Sequence, residues 1–271
     1  MKHVELIGVA GSGKSTVAET LQSRNPAIQS LTDLHGTVVT ELLFPGPSSR
    51  LGARLSPRVL SYLARASGLS DRAVNFFSLT YPEMLSQTAH YTREYTDDPS
   101  RIEYVSGSTL DLVEQFGAVE EHSGLLWDDS AGRDSTAPPS DGPVLLVDEG
   151  FAFTAASVVH PPQHSRQFAP EDLRDYISTL PVPDAIVFVR ASPDVCVSRM
   201  RKRQSGVPAS WEHLDVDSLV DFAAEAETVA ETIAEAFAAR GTRIVEVETD
   251  NRPVERSVAD VRRELAGSPL L

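Results

Sequence analysis

A glycine-rich octapeptide near the start of the chain combines the residue types that bind phosphate. Residues 8–15 read Gly-Val-Ala-Gly-Ser-Gly-Lys-Ser, and Thr16 follows them. Glycine lets a backbone turn closely around an anion without an intervening Cβ, so that successive N–H groups point at the anion. We therefore expect this loop to hold nucleotide phosphates, with the Lys14 ammonium on their terminal oxygens and the Ser15 hydroxyl as a ligand of Mg²⁺. The expected contacts are Gly8, Ala10, Gly11, Ser12, Gly13, Lys14, Ser15 and Thr16.

Acidic residues that could serve the same reaction follow a second apolar run. Residues 143–147 (PVLLV) are continuously apolar, as in a strand buried on both faces, and Asp148, Glu149 and Gly150 come next. Because ligands of parallel sheets bind at the carboxyl ends of the strands, we expect this pair to face the phosphate loop. We assign Asp148 to Mg²⁺ and Glu149 to the proton of the attacking hydroxyl, although the sequence leaves the exchanged assignment open. The structural alternative is an acid that only caps the next helix.

A basic helix supplies candidate cations for the transition state of phosphoryl transfer. Ser192 and Pro193 have the residue types that begin a helix, and Arg199 and Arg203 stand four residues apart on one face of it. Both guanidinium groups could stabilise the negative charge of the transferring phosphoryl group. Cations that merely favour the carboxyl end of a helix are the alternative.

These residues need elements that bring them to one place, and the order of patterns along the chain indicates which. Residues 3–9 favour a strand and residues 15–22 have helical spacing, so the phosphate loop joins a strand to a helix. Further runs at 185–189 and 243–247 favour strands, and a weak one is expected at 27–32. Strands that alternate with helices predict an α/β fold, with a parallel sheet covered on both faces.

The middle of the chain has no pattern of this alternating kind. Residues from about 40 to 125 are helical in pattern without a run rich in valine or isoleucine, so we expect a helical insertion there. Residues 128–142 are polar and rich in proline, glycine and serine, which predicts a flexible loop. We expect one domain over residues 1–271. The helical patterns lie around 56–68, 71–79, 82–95 and 106–118.

Composition narrows the classes of function. The 271 residues carry a net charge of −15, which argues against binding of duplex nucleic acid, because phosphate contacts need a surplus of lysine and arginine. No run of about 18 apolar residues is present, and the first residues do not resemble a leader, so we expect no membrane span. The single cysteine, Cys196, excludes an internal disulfide and is typical of a reducing cytoplasm, where we expect the protein to be.

In this order, the motifs resemble those of the P-loop nucleoside and nucleotide kinases, and especially the thymidylate kinase-like members. The resemblance covers about residues 1–35 and 143–266 and leaves the helical middle unmatched. It is carried by the phosphate loop 8–16, the acid after an apolar strand, Ser192-Pro193-Asp194 before the Arg-x-x-x-Arg helix, and Thr249-Asp250-Asn251 after the last strand.

The resemblance implies a three-layer P-loop NTPase fold, with a five-stranded parallel sheet flanked by helices. It implies ATP and Mg²⁺ as the donor system and a lid at about 199–210 that closes over the phosphates. By the same resemblance, the loop 249–253 with Asn251 would lie near the adenine, and Arg199 could stack on the base. Kinases of this type often pair through helices, so a homodimer is one expectation for the oligomeric state, on which the sequence itself is silent.

One departure from the family pattern concerns the acceptor. Thymidylate kinases have an acid followed by arginine, and deoxynucleoside kinases have Glu-Arg-Ser, whereas this chain has Glu149 followed by Gly150. Thymidylate is therefore not implied as the substrate. Other candidates are Asp33, which would hold an acceptor hydroxyl, and three arginines at intervals of four residues, which either face an anionic acceptor or form an exposed charged face. These arginines are Arg50, Arg54 and Arg58.

Together the motifs predict an ATP-dependent kinase that transfers the γ-phosphoryl group to a hydroxyl or phosphate of a small molecule, such as a nucleoside, a nucleotide or a similar metabolite. The alternative from another class is an ATPase or GTPase switch that acts on a protein partner. The absence of an Asn-Lys-x-Asp guanine signature and the arginine-bearing helix both favour a kinase. A polynucleotide 5′-hydroxyl kinase is a further alternative, which the acidic composition disfavours.

Overall fold

Five parallel strands form the single sheet of the computed structural model, which describes residues 1–44, 55–123, 144–159, 169–204, 206–208 and 211–266. The spatial order of the strands is β2-β3-β1-β4-β5. This sheet confirms the predicted α/β class. The strands are β1 Lys2–Ile7, β2 Ile28–Ser30, β3 Val144–Val147, β4 Ala185–Arg190 and β5 Arg243–Glu248.

Helices cover both faces of this sheet. In chain order they are α1 Lys14–Arg24, α2 Leu31–Leu43, α3 Pro57–Ala66, α4 Leu69–Thr80, α5 Met84–Tyr95, α6 Pro99–Glu121, α7 Phe151–Val159, α8 Pro170–Ser178, α9 Pro193–Lys202, α10 Val216–Ala239 and α11 Val254–Ala266. No helix in the described ranges is both long and apolar enough to span a bilayer.

The apolar residues of each strand alternate between two cores, because successive side chains of a strand point to opposite faces. Leu146 of β3 packs with Leu6 of β1 and with α1 and α11. Leu145 and Val147 of β3 belong instead to a larger core on the other face. That larger core includes residues of α2, α4 to α8 and α10. All four residues of β3 are buried, as the continuous apolar run predicts.

The structure corrects the prediction at the second strand. The strand expected at 27–32 is limited to Ile28–Ser30, and α2 begins at Leu31. The side-chain oxygen of Ser30 accepts the Asp33 N–H at 3.0 Å, and its hydroxyl donates to the Asp33 carboxylate at 2.7 Å. This pairing starts a helix at the point where the strand was expected to continue.

The helical middle contains α3 to α6, and the described part of residues 55–123 includes no strand. Helix α6 is longer than the predicted 106–118 and begins at Pro99. Asp98 caps it by accepting the Ser100 N–H at 2.9 Å, and proline suits the first turn because its missing N–H would have no partner there. The flexible loop expected at 128–142, together with Arg50 and Arg54, lies outside the described residues.

Candidate active site

The phosphate loop lies at the carboxyl end of β1, the central strand, directly against β4 and α9. Gly8 and Gly11 have φ angles of 142° and 88°, which side chains rarely adopt. A Cβ on Gly8 would lie 2.2 Å from the carbonyl oxygen of Val189, and one on Gly11 would lie 2.4 Å from that of Cys196. Only glycine lets the loop backbone approach these two carbonyls, so both glycines are needed for the shape of the loop.

Lys14, the first residue of α1, is folded over this loop. Its Nζ donates hydrogen bonds to the carbonyl oxygens of Gly8 at 2.7 Å and Val9 at 3.2 Å. Burial lowers the pKa of Lys14, and the negative charges of Asp148 and Glu149 partly oppose that shift. The lysine is thus a desolvated cation whose strongest charged neighbours are the two acids that the sequence singled out.

The acidic turn follows β3, as predicted, and precedes α7, a helix that the sequence patterns did not predict. Glu149 is exposed and faces the cleft described below. Asp148 is half-buried, and its Oδ1 is fully covered and has no hydrogen-bond partner among the described residues. A buried carboxylate oxygen without a donor is costly unless a ligand satisfies it. The pair therefore offers one solvent-facing carboxylate and one carboxylate oxygen that lacks a partner.

A residue that the sequence reasoning missed holds this turn in place. Glu5, in the middle of β1, is fully buried and accepts the N–H groups of Phe151 at 3.2 Å and Ala152 at 2.7 Å. These are the first two residues of α7, whose N–H groups have no partner within the helix. The Nε2 atom of His3 lies 3.0 Å from the same carboxylate. The signal in the sequence was a glutamate between the apolar residues Val4 and Leu6 of a predicted strand.

Glu5 also gives the departure at Gly150 a physical reason. A Cβ on Gly150 would lie 2.5 Å from the carboxyl carbon of Glu5. The space that a side chain at this position would need is therefore occupied by the buried carboxylate. An arginine of the family type cannot be accommodated at Gly150 without moving Glu5.

Arg199 links the phosphate loop to the end of β5. Its Nη1 donates to Thr249 Oγ1 at 2.9 Å and to the carbonyl of Ser12 at 3.2 Å, and its Nη2 donates to the carbonyl of Thr249 at 2.7 Å. The Thr249 hydroxyl in turn donates to the Ser12 carbonyl at 2.6 Å. Arg203 follows the last helical residue of α9 and is exposed. Both arginines line the cleft. The Arg199 side chain donates to backbone carbonyls, whereas the Arg203 side chain forms no such hydrogen bond among the described residues.

A cleft of about 620 Å³ opens in front of the loop. One end is formed by residues 8–11 and 13–16 of the loop and by Glu149, whereas Ser12, a predicted nucleotide contact, is buried and does not line the cleft. The cleft then continues between α7 and α10, where most of the wall is apolar. The lining residues outside the loop include Ala152, Phe153, Ala156, Trp211, Phe222, Ala226 and Ala230, together with Arg101 and Tyr104 near the start of α6. A volume of this size is typical of small-molecule sites.

Several residues predicted to bind nucleotide or acceptor are not among those that line this cleft. Asp33 is exposed in the first turn of α2, where its carboxylate accepts from Ser30, so the geometry gives no support to its role with an acceptor hydroxyl. Arg58 is exposed on α3. Asn251 is exposed in the loop after β5, with φ 49°. The segment expected to form a lid is described except for residues 205, 209 and 210.

The oxygen donors beside the loop fit Mg²⁺. Ser15 is exposed and lines the cleft. Asp148 does not line it, but its Oδ1 lacks a partner in the described chain and its charge acts on Lys14 of the loop. Mg²⁺ is usually bound by one or two protein oxygens together with substrate phosphates. In the described ranges, no group of three or more His, Cys, Asp or Glu side chains could form a closed metal cage. The donor set therefore suits a metal that arrives with a nucleotide.

Fold and site together define an α/β protein whose glycine-rich loop 8–16 lies at the carboxyl edge of a five-stranded parallel sheet. No protein-family model matches the chain, and no curated protein matches its sequence. Among solved structures, a deoxyadenosine kinase from M. mycoides, with the products dCMP and a flexible dCDP bound, is similar with a TM-score of 0.41 and 11% identity. The match covers 98% of this chain and 100% of that one.

Proposed function

We propose that the protein is a kinase that binds ATP with Mg²⁺ in the phosphate loop and transfers the γ-phosphoryl group to a hydroxyl or phosphate of a small molecule. A nucleoside, a nucleotide or a similar metabolite would suit the site. One observation carries the proposal. The loop and Glu149 open onto a single cleft of about 620 Å³ that continues past them between α7 and α10, leaving room for a second molecule. Hydrolysis by a switch would need no such room.

The loop residues would bind the donor. The backbone N–H groups from Gly8 to Thr16 would surround the phosphates, as in other glycine-rich loops at a helix start. Lys14 would exchange its bonds to the Gly8 and Val9 carbonyls for phosphate oxygens, which offer a full negative charge in place of two dipoles. Ser15 and Asp148 would hold Mg²⁺, which neutralises charge on the phosphate oxygens when it is bound.

The residues that face the cleft would act on the acceptor. The exposed carboxylate of Glu149 can accept the proton of an acceptor hydroxyl, a role for which a group must lie within hydrogen-bond reach of that proton. The exposed side chain of Arg203 forms no hydrogen bond or ion pair within the described chain, so it can move toward the transferring oxygens. Arg199 is held by Ser12 and Thr249, which favours a role in shaping the loop and bordering the nucleotide.

Calorimetry and turnover test this proposal together. Mg·ATP and Mg·GTP are titrated into the parent, Lys14→Ala and Lys202→Ala proteins, and ADP or GDP release is followed with a panel of nucleosides, nucleotides and phosphorylatable metabolites. Lys202 is exposed on α9 and does not line the cleft, so its variant is the matched control. We expect Lys14→Ala to reduce nucleotide affinity at least about tenfold, since it removes a charge-assisted contact worth about 1.5–3 kcal/mol.

Two results would contradict the proposal. One is no heat of binding with either nucleotide, or equal binding by the parent and Lys14→Ala proteins. The other is nucleotide hydrolysis that no acceptor stimulates but a protein partner does, which would indicate a switch.

A further inference from the structure

Arg101 lines the cleft beside the last turn of α7, the end of that helix away from the acidic turn. It belongs to the first turn of α6 and lines the cleft together with Tyr104. Its Nη2 donates to the carbonyl of Ser157 at 2.9 Å, and its guanidinium carbon lies 5.2 Å from the centre of the Tyr104 ring. The Nε atom is buried without a hydrogen-bond partner in the described chain. The orientation of the guanidinium is therefore fixed, but its Nε–H has no hydrogen-bond acceptor in the described chain.

The charge of Arg101 is not neutralised by a contact. It forms no salt bridge with a carboxylate of the described residues, and the carboxylate of Asp98 already accepts the Ser100 N–H that caps α6. Burial lowers the pKa of Arg101, with Tyr104 and Asp98 opposing the shift. Arg190 shows the contrast, because its bonds to Glu227 and Glu231 raise its pKa. A partly desolvated cation without a counter-ion is costly, and an anionic ligand would offset that cost.

The other cleft arginines follow the same pattern. Neither Arg199 nor Arg203 forms a salt bridge within the described chain, although the protein has 39 acidic and 24 basic residues. Arginines elsewhere do pair with acids, such as Arg65 with Asp111 at 2.9 Å and Arg72 with Glu121 at 2.7 Å. The cleft thus contains three arginines whose charge no carboxylate of the described chain neutralises, and only Arg101 among them has a buried Nε without a partner.

Helix α7 sets the spacing between Arg101 and the phosphate loop. Phe153 lies near the loop, since Lys14 Nζ is 5.8 Å from the centre of its ring. Ser157, which holds Arg101, is four residues further along the same face, a rise of about 6 Å. Ala156, which lies between Phe153 and Ser157 on α7, also lines the cleft. A ligand that reaches from the phosphate loop to Arg101 would therefore need an apolar middle part.

We propose that Arg101 binds an anionic group, a carboxylate or a phosphate monoester, at the end of the acceptor opposite the group that is phosphorylated. The inference rests on the proposed kinase function and defines its acceptor as a molecule with a phosphorylatable group, an apolar middle and a remote anion. The planar fork of arginine donors matches both kinds of anion.

Arg240 provides a matched control. Like Arg101, it donates to carbonyls at the end of a helix, those of Ile177 and Leu180 near the end of α8, the second at 3.0 Å. Burial lowers its pKa as well. Arg240 does not line the cleft. A purely structural role in capping a helix would make the two arginines equivalent.

Calorimetry with the loop filled by the magnesium complex of adenylyl imidodiphosphate, a non-hydrolysable ATP analogue, tests the subsite. The probes are 4-(hydroxymethyl)benzoate, 4-(hydroxymethyl)phenyl phosphate and the neutral 4-(hydroxymethyl)benzamide, which share a hydroxyl and an aromatic ring. We expect the better anionic probe to bind at least about tenfold more tightly than the amide, because charge-assisted hydrogen bonds are roughly twice as strong as neutral ones. The order of the two anions distinguishes carboxylate from phosphate.

Variants of Arg101 and Arg240 test whether Arg101 causes the preference for anionic probes. Arg101→Met and Arg101→Gln should bring the ratio of anionic to neutral affinity close to one, whereas Arg240→Met should leave it unchanged. The subsite is overturned by equal affinities in the parent protein, by a ratio that survives in both Arg101 variants, or by the absence of saturable binding of any probe while the nucleotide analogue binds. Failure of the analogue itself to bind would overturn the kinase function, and the subsite with it.

Discussion

Cys196 lies directly beneath the phosphate loop. Its backbone carbonyl is the atom that a side chain on Gly11 would meet, and its Sγ donates to the carbonyl of Ala191 at 3.4 Å. Burial raises the pKa of the thiol to about 11, although the positive charges of Arg199 and Lys14 lower it in part. The thiol is therefore neutral and unreactive at ordinary pH, and it acts as a small packed side chain below the loop.

This raised pKa predicts how stability depends on pH. In the unfolded chain the thiol releases its proton near pH 9, whereas in the folded protein it keeps the proton until about pH 11. The contribution of Cys196 is thus fully present below pH 9 and is lost as pH rises through the folded pKa. We expect the parent to lose about 2–3 kcal/mol relative to Cys196→Ala between pH 8 and 12, since one pKa unit is worth about 1.4 kcal/mol.

Urea unfolding at a series of pH values measures this difference. Because the chain has a single cysteine, the difference between the parent and Cys196→Ala isolates the thiol from the tyrosines and lysines that titrate nearby in pH. Two curves that stay parallel from pH 8 to 12 would show that the folded thiol titrates normally.

At the scale of single residues, the sequence identified site residues that are adjacent along the chain. It missed residues whose role depends on contacts between distant segments. The loop residues and the Asp148-Glu149 pair are contiguous, and their chemistry follows from their order. Glu5 contacts Phe151 across 146 positions, and Arg101 reaches Ser157 across 56. Nothing in the spacing of these residues indicates a contact, because it depends on the pairing of β1 with β3 and on the packing of α6 near the end of α7.

The sequence also predicted the boundaries of some elements wrongly. Strands β3 and β4 could be predicted from their continuous apolar runs, because a parallel strand that is buried on both faces is apolar throughout. The second strand was predicted too long because the pairing of Ser30 with Asp33, a helix-start signal, was not recognised at its end. For α6, Asp98 and Pro99 were a readable start signal, since aspartate favours the cap and proline the first turn.

Helix α7 gives an element-scale prediction, because its start depends on Glu5. Glu5→Gln keeps the shape of the side chain but replaces one acceptor oxygen with an amide NH₂, which would face the N–H of Phe151 or Ala152. It also removes a negative charge from the positive end of the helix. We expect the free energy of unfolding to fall by about 1–3 kcal/mol, the cost of leaving a buried donor unsatisfied. Urea unfolding, read at constant m-value, measures the loss.

Glu235→Gln is the control for this variant. Glu235 is 73% exposed and lies 4.0 Å from Arg174, a surface pair worth about 0–1 kcal/mol at most. Equal midpoints for the two variants would mean that Glu5 does not cap α7 in solution.

At the scale of the whole molecule, the helical middle is attached to the site through aromatic contacts. The ring of Phe77 on α4 stacks on Phe151 with 5.5 Å between ring centres, and Phe116 on α6 meets Phe151 edge to face at 5.1 Å. Phe151 is the first residue of α7, which lines the cleft. The sequence predicted a helical insertion, but it did not predict that the insertion and the sheet share one core.

This shared core predicts that the chain unfolds as one unit. Phe116→Ala removes a buried ring from the insertion and should lower the free energy of unfolding by about 3–5 kcal/mol. Because Phe116 belongs to the same core as Leu145 of β3 and Phe188 of β4, the sheet should unfold at the same denaturant concentration as the helices. The far-ultraviolet circular dichroism signal and the binding of Mg·ATP should then be lost at the same denaturant midpoint, and Phe116→Ala should shift both midpoints equally.

Leu79→Ala is the control, because the Leu79 side chain is 85% exposed on α4, and it should leave both midpoints in place. A variant that loses helical signal first and keeps nucleotide binding would show instead that the insertion folds as a separate domain.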